Sequence, residues 1–449
     1  MTTSTLNDIL AQIRAALKQE DLTRAASIIE KLRPADQAEL FSELDEETQA
    51  ALLPKLAPED SADILEELEE EEAAELAAYL PTNTLIRIVD EMEPDEAADL
   101  LGDISAEQAR QILDGMEDPE DIRPLLLHPD DSAGGLMTSE FLALRRRATA
   151  GDALEAIRQW RPNDEFIYYM FVIDPNQRLV GVVSLRELVV ADPATPLSEI
   201  MNPEVISVKA GADQEDAAQV MFRYDLLALP VVTDDSTLLG VITIADVMDV
   251  LEDEATEDIQ RLGGAQPLDR AYLNTSVLTI TRKRIGWLLM LFLTATLTGS
   301  VMRLFQGELQ AVVALSIFIP LLIGTGGNAG SQTTATVIRA LATGDVDIND
   351  ALRVWWHEAR IGLLLGLGMA IAAYIRAITW ESDPALAMTV AASILGIVLW
   401  ATGTGALLPL IAEKAGIDPT VVSGPAMSTL VDATGLFIYF TIARVMLGL

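Results

Sequence analysis

Five apolar runs follow one another near the end of the chain: Ile285–Met302, Leu309–Ile338, Ile361–Ile375, Pro384–Ala412 and Thr420–Ala443. The first, second and fourth contain no charged residue, and the fifth contains a single one, Asp432. The third is the shortest and extends to Trp380 if Arg376 snorkels. A membrane-crossing helix needs about 17–25 apolar residues, so the spacing predicts five spans. Five of the six tryptophans (Trp287, Trp355, Trp356, Trp380 and Trp400) lie in this part, most of them near run ends where interfacial belts form. Arg282, Lys283 and Arg284 precede the first run, and Arg339, Arg353 and Arg360 bracket the second loop. Basic loops face the cytoplasm. The expectation is a multi-pass plasma (inner) membrane protein with residues 1–270 cytoplasmic and the C-terminus outside.

Charge separates the rest of the 449-residue chain from this part. Residues 271–449 hold ten acids and ten bases, so residues 1–270 carry the whole net charge of −39. Such an excess of carboxylates argues against nucleic acid and points to cations as partners. There is no cysteine, hence no disulfide or thiolate metal site. "MTTSTLNDILAQI" lacks a basic segment followed by an apolar one, and no cleavable signal peptide is expected. No Walker loop or Ser-His-Asp set is visible, so no enzymatic activity is expected.

Two patterns divide the acidic half. Apolar pairs recur at a constant interval (Ile28/Ile29, Leu40/Phe41, Leu52/Leu53, Ile64/Leu65, and so on to Leu100/Leu101 and Ile112/Leu113), with turn and capping residues between them. This predicts an all-α superhelical domain over residues 1–128, one short helix and one tight turn per repeat. After Pro129 the pattern becomes strand, helix, paired strands and helix, twice over. Each copy carries Gly-Val-(Val/Ile)-(Ser/Thr)-x-x-(Glu/Asp), and the two resemble a tandem pair of α/β CBS domains, residues 129–200 and 201–256. The resemblance implies an adenine nucleotide such as ATP, with Asp246 on its ribose; a pair that only dimerises and transmits strain is the equal alternative. "VLEDEATEDIQRLGG", residues 250–264, predicts an acidic connecting helix within 250–275 that leads to a membrane domain over 276–449.

Inside the spans, two features are costly unless they are used. The second run, as one continuous helix, would be about 45 Å long against a hydrocarbon core of about 30 Å, so the second span must tilt, protrude or break. "GTGGNAG", residues 324–330, is where a break is expected, with exposed carbonyls at Gly324 and Gly327 and polar side chains at Asn328, Ser331 and Gln332. Small-residue helix packing is the competing reading. Asp432 falls near the middle of the fifth run, where a carboxylate costs about 2.5–3.5 kcal/mol and serves an ion or proton pathway; pairing with Arg339 is the structural alternative. Mg²⁺ keeps several waters and is held by one or two carboxylates. The Gly324 and Gly327 carbonyls, Asn328 and the Ser428 hydroxyl are the candidate acceptors around such an ion.

The order of helical repeat, CBS pair, acidic connecting helix and five spans resembles the MgtE family of magnesium channels over essentially the whole chain. "PLLIGTGGNAGSQTTATVIRALATGD", "LEDEATEDI" and "DATGLFIYF" carry the resemblance most sharply. It implies a homodimer in the lipid bilayer, with Mg²⁺ as cargo and as ligand of a cytoplasmic sensor. The implied sensor positions are Asp63, Asp95, Glu96, Asp99, Glu215, Asp216, Asp246, Asp249, Glu254, Glu257 and Asp258. Glu358 is a candidate ligand at the cytoplasmic mouth, and His357 beside it is interfacial. One departure stands out: family members commonly have Asn before the proline of the last helix, where this chain has Gly424 before Pro425. The competing expectations are a broader Mn²⁺, Co²⁺ or Ca²⁺ carrier or exchanger, and a nucleotide-responsive receptor that transports nothing.

Overall fold

A computed structural model describes residues 3–160, 168–268, 272–273, 275–422 and 424–449, with side chains from Leu6 onward. It divides into two compact units, Met1–Asp253 and Glu254–Leu449.

The first unit begins with a series of short helices: α1 (Thr3–Leu17), α2 (Leu22–Ile29), α3 (Pro34–Ser42), α4 (Glu46–Leu52), α5 (Pro58–Glu66), α6 (Glu70–Tyr79), α7 (Thr82–Val89), α8 (Pro94–Asp103) and α9 (Ala106–Leu113). Their starts are set locally. Asp21, Asp45 and Ser105 accept backbone N–H groups as N-caps, and Pro34, Pro58 and Pro94 occupy the first helical turns. The apolar pairs are the core: Leu40/Phe41, Leu52/Leu53, Ile64/Leu65, Leu76/Ala77, Ile88/Val89 and Leu100/Leu101 are all buried. Helices pack on their second neighbours, α3 on α5 on α7 on α9 and α2 on α4 on α6 on α8, which makes a two-row superhelix. Polar contacts repeat with the same period. The Gln37 side-chain amide donates to Asp60 (3.0 Å), and the Gln49 amide, one repeat on, donates to Glu72 (3.1 Å). The Glu93 N–H donates to Glu66 (2.7 Å), and two repeats on the Glu117 N–H donates to Asp90 (3.0 Å).

Two copies of one α/β module follow. The first contains β1 (Ala143–Arg145), α10 (Ala150–Trp160), β2 (Tyr169–Ile173), β3 (Leu179–Ser184) and α11 (Leu185–Val190), followed by the connecting turn of helix α12 (Leu197–Ile200). The second contains β4 (Val208–Lys209), α13 (Gln214–Tyr224), β5 (Ala228–Val232), β6 (Leu238–Thr243) and α14 (Ile244–Leu262). Both sheets pair their first strand parallel to the second and the second antiparallel to the third, and both hairpins carry a register shift at the same place. The helix expected over 250–264 does not start there. It is the last part of α14, which runs unbroken from Ile244 to Leu262; of the remaining stretch to 275, residues 269–271 and 274 lie outside the described residues.

The second unit holds α15 (Val277–Leu304), the short α16 (Gln306–Ala311), α17 (Leu315–Ala342), α18 (Ala351–Glu381), α19 (Pro384–Lys414) and α20 (Gly424–Leu447). Among the described residues, four stretches are long and apolar enough to cross a membrane: Val277–Leu304, Ile348–Glu381, Pro384–Lys414 and Gly424–Leu447. The fifth long helix, α17, has 28 residues, apolar in its first half and polar after Gly324. Two expectations about it need correction. The uncharged run from Leu309 divides between α16 and α17, so the helix starts at Leu315 rather than Leu309. The helix also passes through "GTGGNAG" without a break, so the carbonyls of Gly324 and Gly327 lie along a regular helix rather than at an unwound segment. Helix α19 is the centre of the bundle, with Val390, Ile394, Ile397, Val398 and Ala401 buried among α17, α18 and α20. Arg376 lays its guanidinium over the Trp380 ring, 3.6 Å from the centroid, which covers its charge with an aromatic face.

Truncating Ile64, fully buried in the repeat core, should destabilise the transition of the first unit in the intact chain by about 2–5 kcal/mol. Denaturant unfolding of Ile64→Ala against the parent chain measures this.

Candidate cation sites

Helix α8 opens with Pro94 in its first turn, which places Asp95, Glu96 and Asp99 on consecutive turns of one short helix. Asp95 and Glu96 come within electrostatic reach of Asp246 at the start of α14 and of Glu66 at the end of α5. Asp99 faces Asp130, Glu70 and Asp103. Burial first, and then these like charges, push the Glu96 carboxyl up to about 9 and Asp99 to about 8. Glu66 rises to about 7, from burial above all, although the Glu93 N–H bond pulls it down. Asp95, only 6 % exposed, rises for the same reason with Asp246 as its main charged neighbour. Its Oδ1 is buried without a hydrogen-bond partner among the described residues. Carboxyls held this way either take up protons or need a cation.

Of the other expected sensor residues, Asp63 is raised by burial and by Asp60 and Glu59. Asp249 is raised by burial and by Asp246. Glu215 and Asp216 occupy the first turn of α13, behind the Asp213 cap. Glu254, Glu257 and Asp258 lie half-buried on the last turns of α14. No three carboxylates or histidines among the described residues close on a single point tightly enough to hold a bare ion. An ion that keeps its waters bridges wider gaps. Glu66, Glu70 and Asp130 were not singled out from the sequence. The visible signal for Glu66 is its two-repeat spacing from Asp90, which plays the same backbone-accepting role.

Asp246 caps α14, accepting from the Thr243 N–H and hydroxyl, both at 2.9 Å. Glu187 repeats this in the first module with Ser184, at 2.9 and 2.8 Å. One oxygen of each acid is thereby used to fix the helix start and with it the position of the rest of the carboxylate.

The second place is the seam between α17 and α20. Gly326, Gly327 and Gly330 are buried where a Cβ would press on Val431, Ser428 and Met427, so these glycines serve close packing. Ser331 donates to the Gly424 carbonyl (3.0 Å), and its hydroxyl lies 3.4 Å from that of Ser428. These contacts run antiparallel: 331 meets 424, 327 meets 428, and one further turn brings Gly324 level with Asp432. Gly324, Asn328 and Gln332 form an exposed stripe along α17. Asp432 is half-buried about one turn from the middle of α20, and no base lies within ion-pair distance of it among the described residues. The alternative pairing with Arg339 is not formed among the described residues. Glu358, the candidate ligand at the mouth, is 8 % exposed inside the bundle and accepts from the Thr333 hydroxyl at 3.1 Å.

A helical repeat, a CBS pair and a bundle of membrane-length helices around a carboxylate with no base beside it define a multidomain membrane transporter of cations. The family model described as a divalent cation transporter matches residues 319–442, the MgtE intracellular N domain matches 32–131, and CBS domains match 133–193 and 197–253. A magnesium transporter MgtE from Thermus thermophilus is 43% identical over 327 residues, 73% of this chain and 72% of that protein. One from Enterococcus faecalis is 36% identical over 323 residues, covering 72% and 71%. A crystal structure of the cytosolic domain of the Mg²⁺ channel MgtE in complex with ATP is 36% identical, with a TM-score of 0.51, covering 54% of this chain and 99% of that one. The chain belongs to the MgtE family, whose members are transporters and not enzymes.

The raised carboxyls set the sign of a pH effect. Their contribution to stability is complete below the ordinary carboxylate range near pH 4. It is lost as pH rises through about 7 for Glu66, 8 for Asp99 and 9 for Glu96. Without divalent cations, the transition of the first unit should fall in temperature from pH 6 to pH 9. Millimolar Mg²⁺ should reverse most of that fall, and Glu96→Gln with Asp99→Asn should flatten it; scanning calorimetry reads all three.

Proposed function

We propose that the chain carries Mg²⁺ across the plasma membrane along the α17–α20 seam, with Asp432 as the cation ligand. The observation that carries this reading is Asp432 itself, a half-buried carboxylate in an apolar helix, with no base at ion-pair distance among the described residues and the polar stripe of α17 one turn from its level. A buried charge without a counter-charge is expensive, and a passing cation supplies one. Two copies related by a two-fold axis would face their Asp432 residues and α17 stripes towards each other, giving two carboxylates to one hydrated divalent ion. Ser428, Asn328 and the backbone at Gly324 and Gly327 then line the path as acceptors for its waters. The two relatives above are magnesium transporters, which favours Mg²⁺ over a broader divalent range and a channel over a receptor without flux.

Cytoplasmic Mg²⁺ regulates this path by negative feedback. Residues 1–128 and the CBS pair, 129–200 and 201–256, form the cytoplasmic sensor; 250–275 connects it to the transport domain, 276–449, whose C-terminus lies outside. The ion bridges Asp95, Glu96, Asp99 and Asp246, relieving their mutual repulsion, with Asp63, Glu215, Asp216, Asp249, Glu254, Glu257 and Asp258 as further acidic positions. Asp246 also stands where the second CBS module would take the ribose of ATP, the nucleotide in the related cytosolic structure. A nucleotide and Mg²⁺ would then meet at one residue.

Uptake of Mg²⁺ into proteoliposomes tests the path. Asp432→Ala should lower it by more than about tenfold, the factor given by about 1.4 kcal/mol of lost ion stabilisation. Unchanged uptake would leave Asp432 without the role assigned to it. Trypsin digestion of residues 1–270 tests the sensor: cleavage should slow as Mg²⁺ reaches millimolar concentration, whereas an unchanged rate counts against cation-driven compaction.

A further inference from the structure

The middle of α17 has little bulk to hold it in place. Its buried face carries Leu315, Phe318, Ile319 and Leu322 before the glycine-rich run, and Val337 and Ile338 after it. Between Leu322 and Val337 the buried residues are Gly326, Gly327, Gly330, Thr333 and Thr334, none larger than threonine. Glycines inside a helix leave its backbone easy to twist. Three hydrogen bonds cross from this stretch, one to each neighbouring helix. Ser331 donates to the Gly424 carbonyl of α20, Thr334 to the Gly405 carbonyl of α19 (3.3 Å), and Thr333 to the Glu358 carboxyl of α18 (3.1 Å). The first two end on backbone oxygens, which any residue supplies. The third depends on one side chain. Gly362 and Gly366, one and two turns beyond Glu358, bring α18 close to Thr402 and Leu395 of α19, and from there Glu358 reaches Thr333. His357 and Arg360 beside it bond to each other (3.2 Å), and no base lies within ion-pair distance of Glu358 among the described residues. A buried carboxyl without a counter-charge is costly, so a use is expected of it.

We propose that Glu358 is a positioning residue for ion passage: from the side of α17 remote from the path, it fixes the rotation of the glycine-rich stretch. Thr333 lies five residues from Asn328, about 140° around the helix. A twist at Thr333 therefore turns the Gly324, Asn328 and Gln332 stripe with it. The inference rests on the ion path proposed above and adds a residue that determines its specificity. Groups that hold an ion through its waters select by distance, and Mg²⁺ is smaller than Ca²⁺ and gives up water more reluctantly. A stripe held at one bearing favours one hydrated ion, whereas a stripe free to turn accommodates both. Glu358 itself takes no part in binding the ion.

The test compares the full chain in proteoliposomes with Glu358→Leu, Thr333→Val and Glu358→Gln, the last keeping an oxygen for Thr333. Glu358→Leu and Thr333→Val should each lower the preference for Mg²⁺ uptake over Ca²⁺ by about two- to tenfold, the range that one hydrogen bond supplies. Combining them should add nothing, because both changes break one bond. Thr333→Val keeps the side-chain volume and carries the test if Glu358→Leu does not fold. Glu358→Gln should stay within about twofold of the parent, because the acceptor remains. A loss in Glu358→Gln equal to that in Glu358→Leu would overturn the proposal, since the charge and not the bond would then matter, as for an ion ligand. A second readout does not depend on transport. The chain has no cysteine, so Asn328→Cys gives a single thiol on the stripe. Its labelling by a charged methanethiosulfonate should slow when Glu358→Leu or Thr333→Val is added, and keep its rate with Glu358→Gln. An unchanged or faster rate in the first two overturns the proposal. A slower rate with an unchanged ion preference leaves Glu358 as the residue that positions α17 and overturns the ion path along α17 and α20 instead.

Discussion

The membrane half depends on how closely α17 approaches α20. Three glycines on one face of α17 let the two helices meet over Ser428, Met427 and Val431. That approach sets the register that brings Gly324 level with Asp432 and leaves Asn328 and Gln332 on an uncovered polar stripe. A side chain at Gly326 would push against Val431 and Ile397, separating the carboxylate from the polar stripe of α17. Packing and ion passage were competing readings of the Gly-rich run. In the structure its buried glycines pack on one face and its exposed positions lie on another face of the same helix.

The first unit is governed by the opposite problem. Its short helices are capped and stacked as ordinary repeats, but the seam around α8 gathers carboxyls that burial alone would leave uncharged. Their upward shifts follow from desolvation first and from one another second. A region of this kind is stable in two conditions, with protons or with cations. Groups raised to about 8 and 9 hold their protons at neutral pH, so a cation bound there takes the place of protons.

Much of this was legible in the sequence because periodicity reports burial directly. The regular recurrence of apolar pairs became the repeat core, and the doubled strand–helix pattern became two matching sheets. The helices after residue 276 follow from unbroken apolarity. What the sequence did not convey was geometric. A glycine-rich run reads equally as a break or as a tight contact, and only the neighbouring helix decides between them. Glu358 sits beside a basic, tryptophan-rich segment and reads as a ligand at the mouth, and its helix turns it inward to Thr333. Glu66 looks like any acid in an acidic helix until the Glu93 N–H and α8 close over it. Arg261 likewise pairs with Asp418, which no local pattern links to it.

The continuity of α14 has a mechanical consequence. Asp246, at its first turn, and Arg261, at its last, stand on one uninterrupted rod about 28 Å long. There is no glycine, proline or loop between them to absorb a rotation. Asp246, Asp249 and Asp253 follow one another at intervals of three and four residues and so share one face of that rod. One residue inserted before Asp249 would turn it about 100° out of that row. The acidic face depends on the number of residues as much as on their identity.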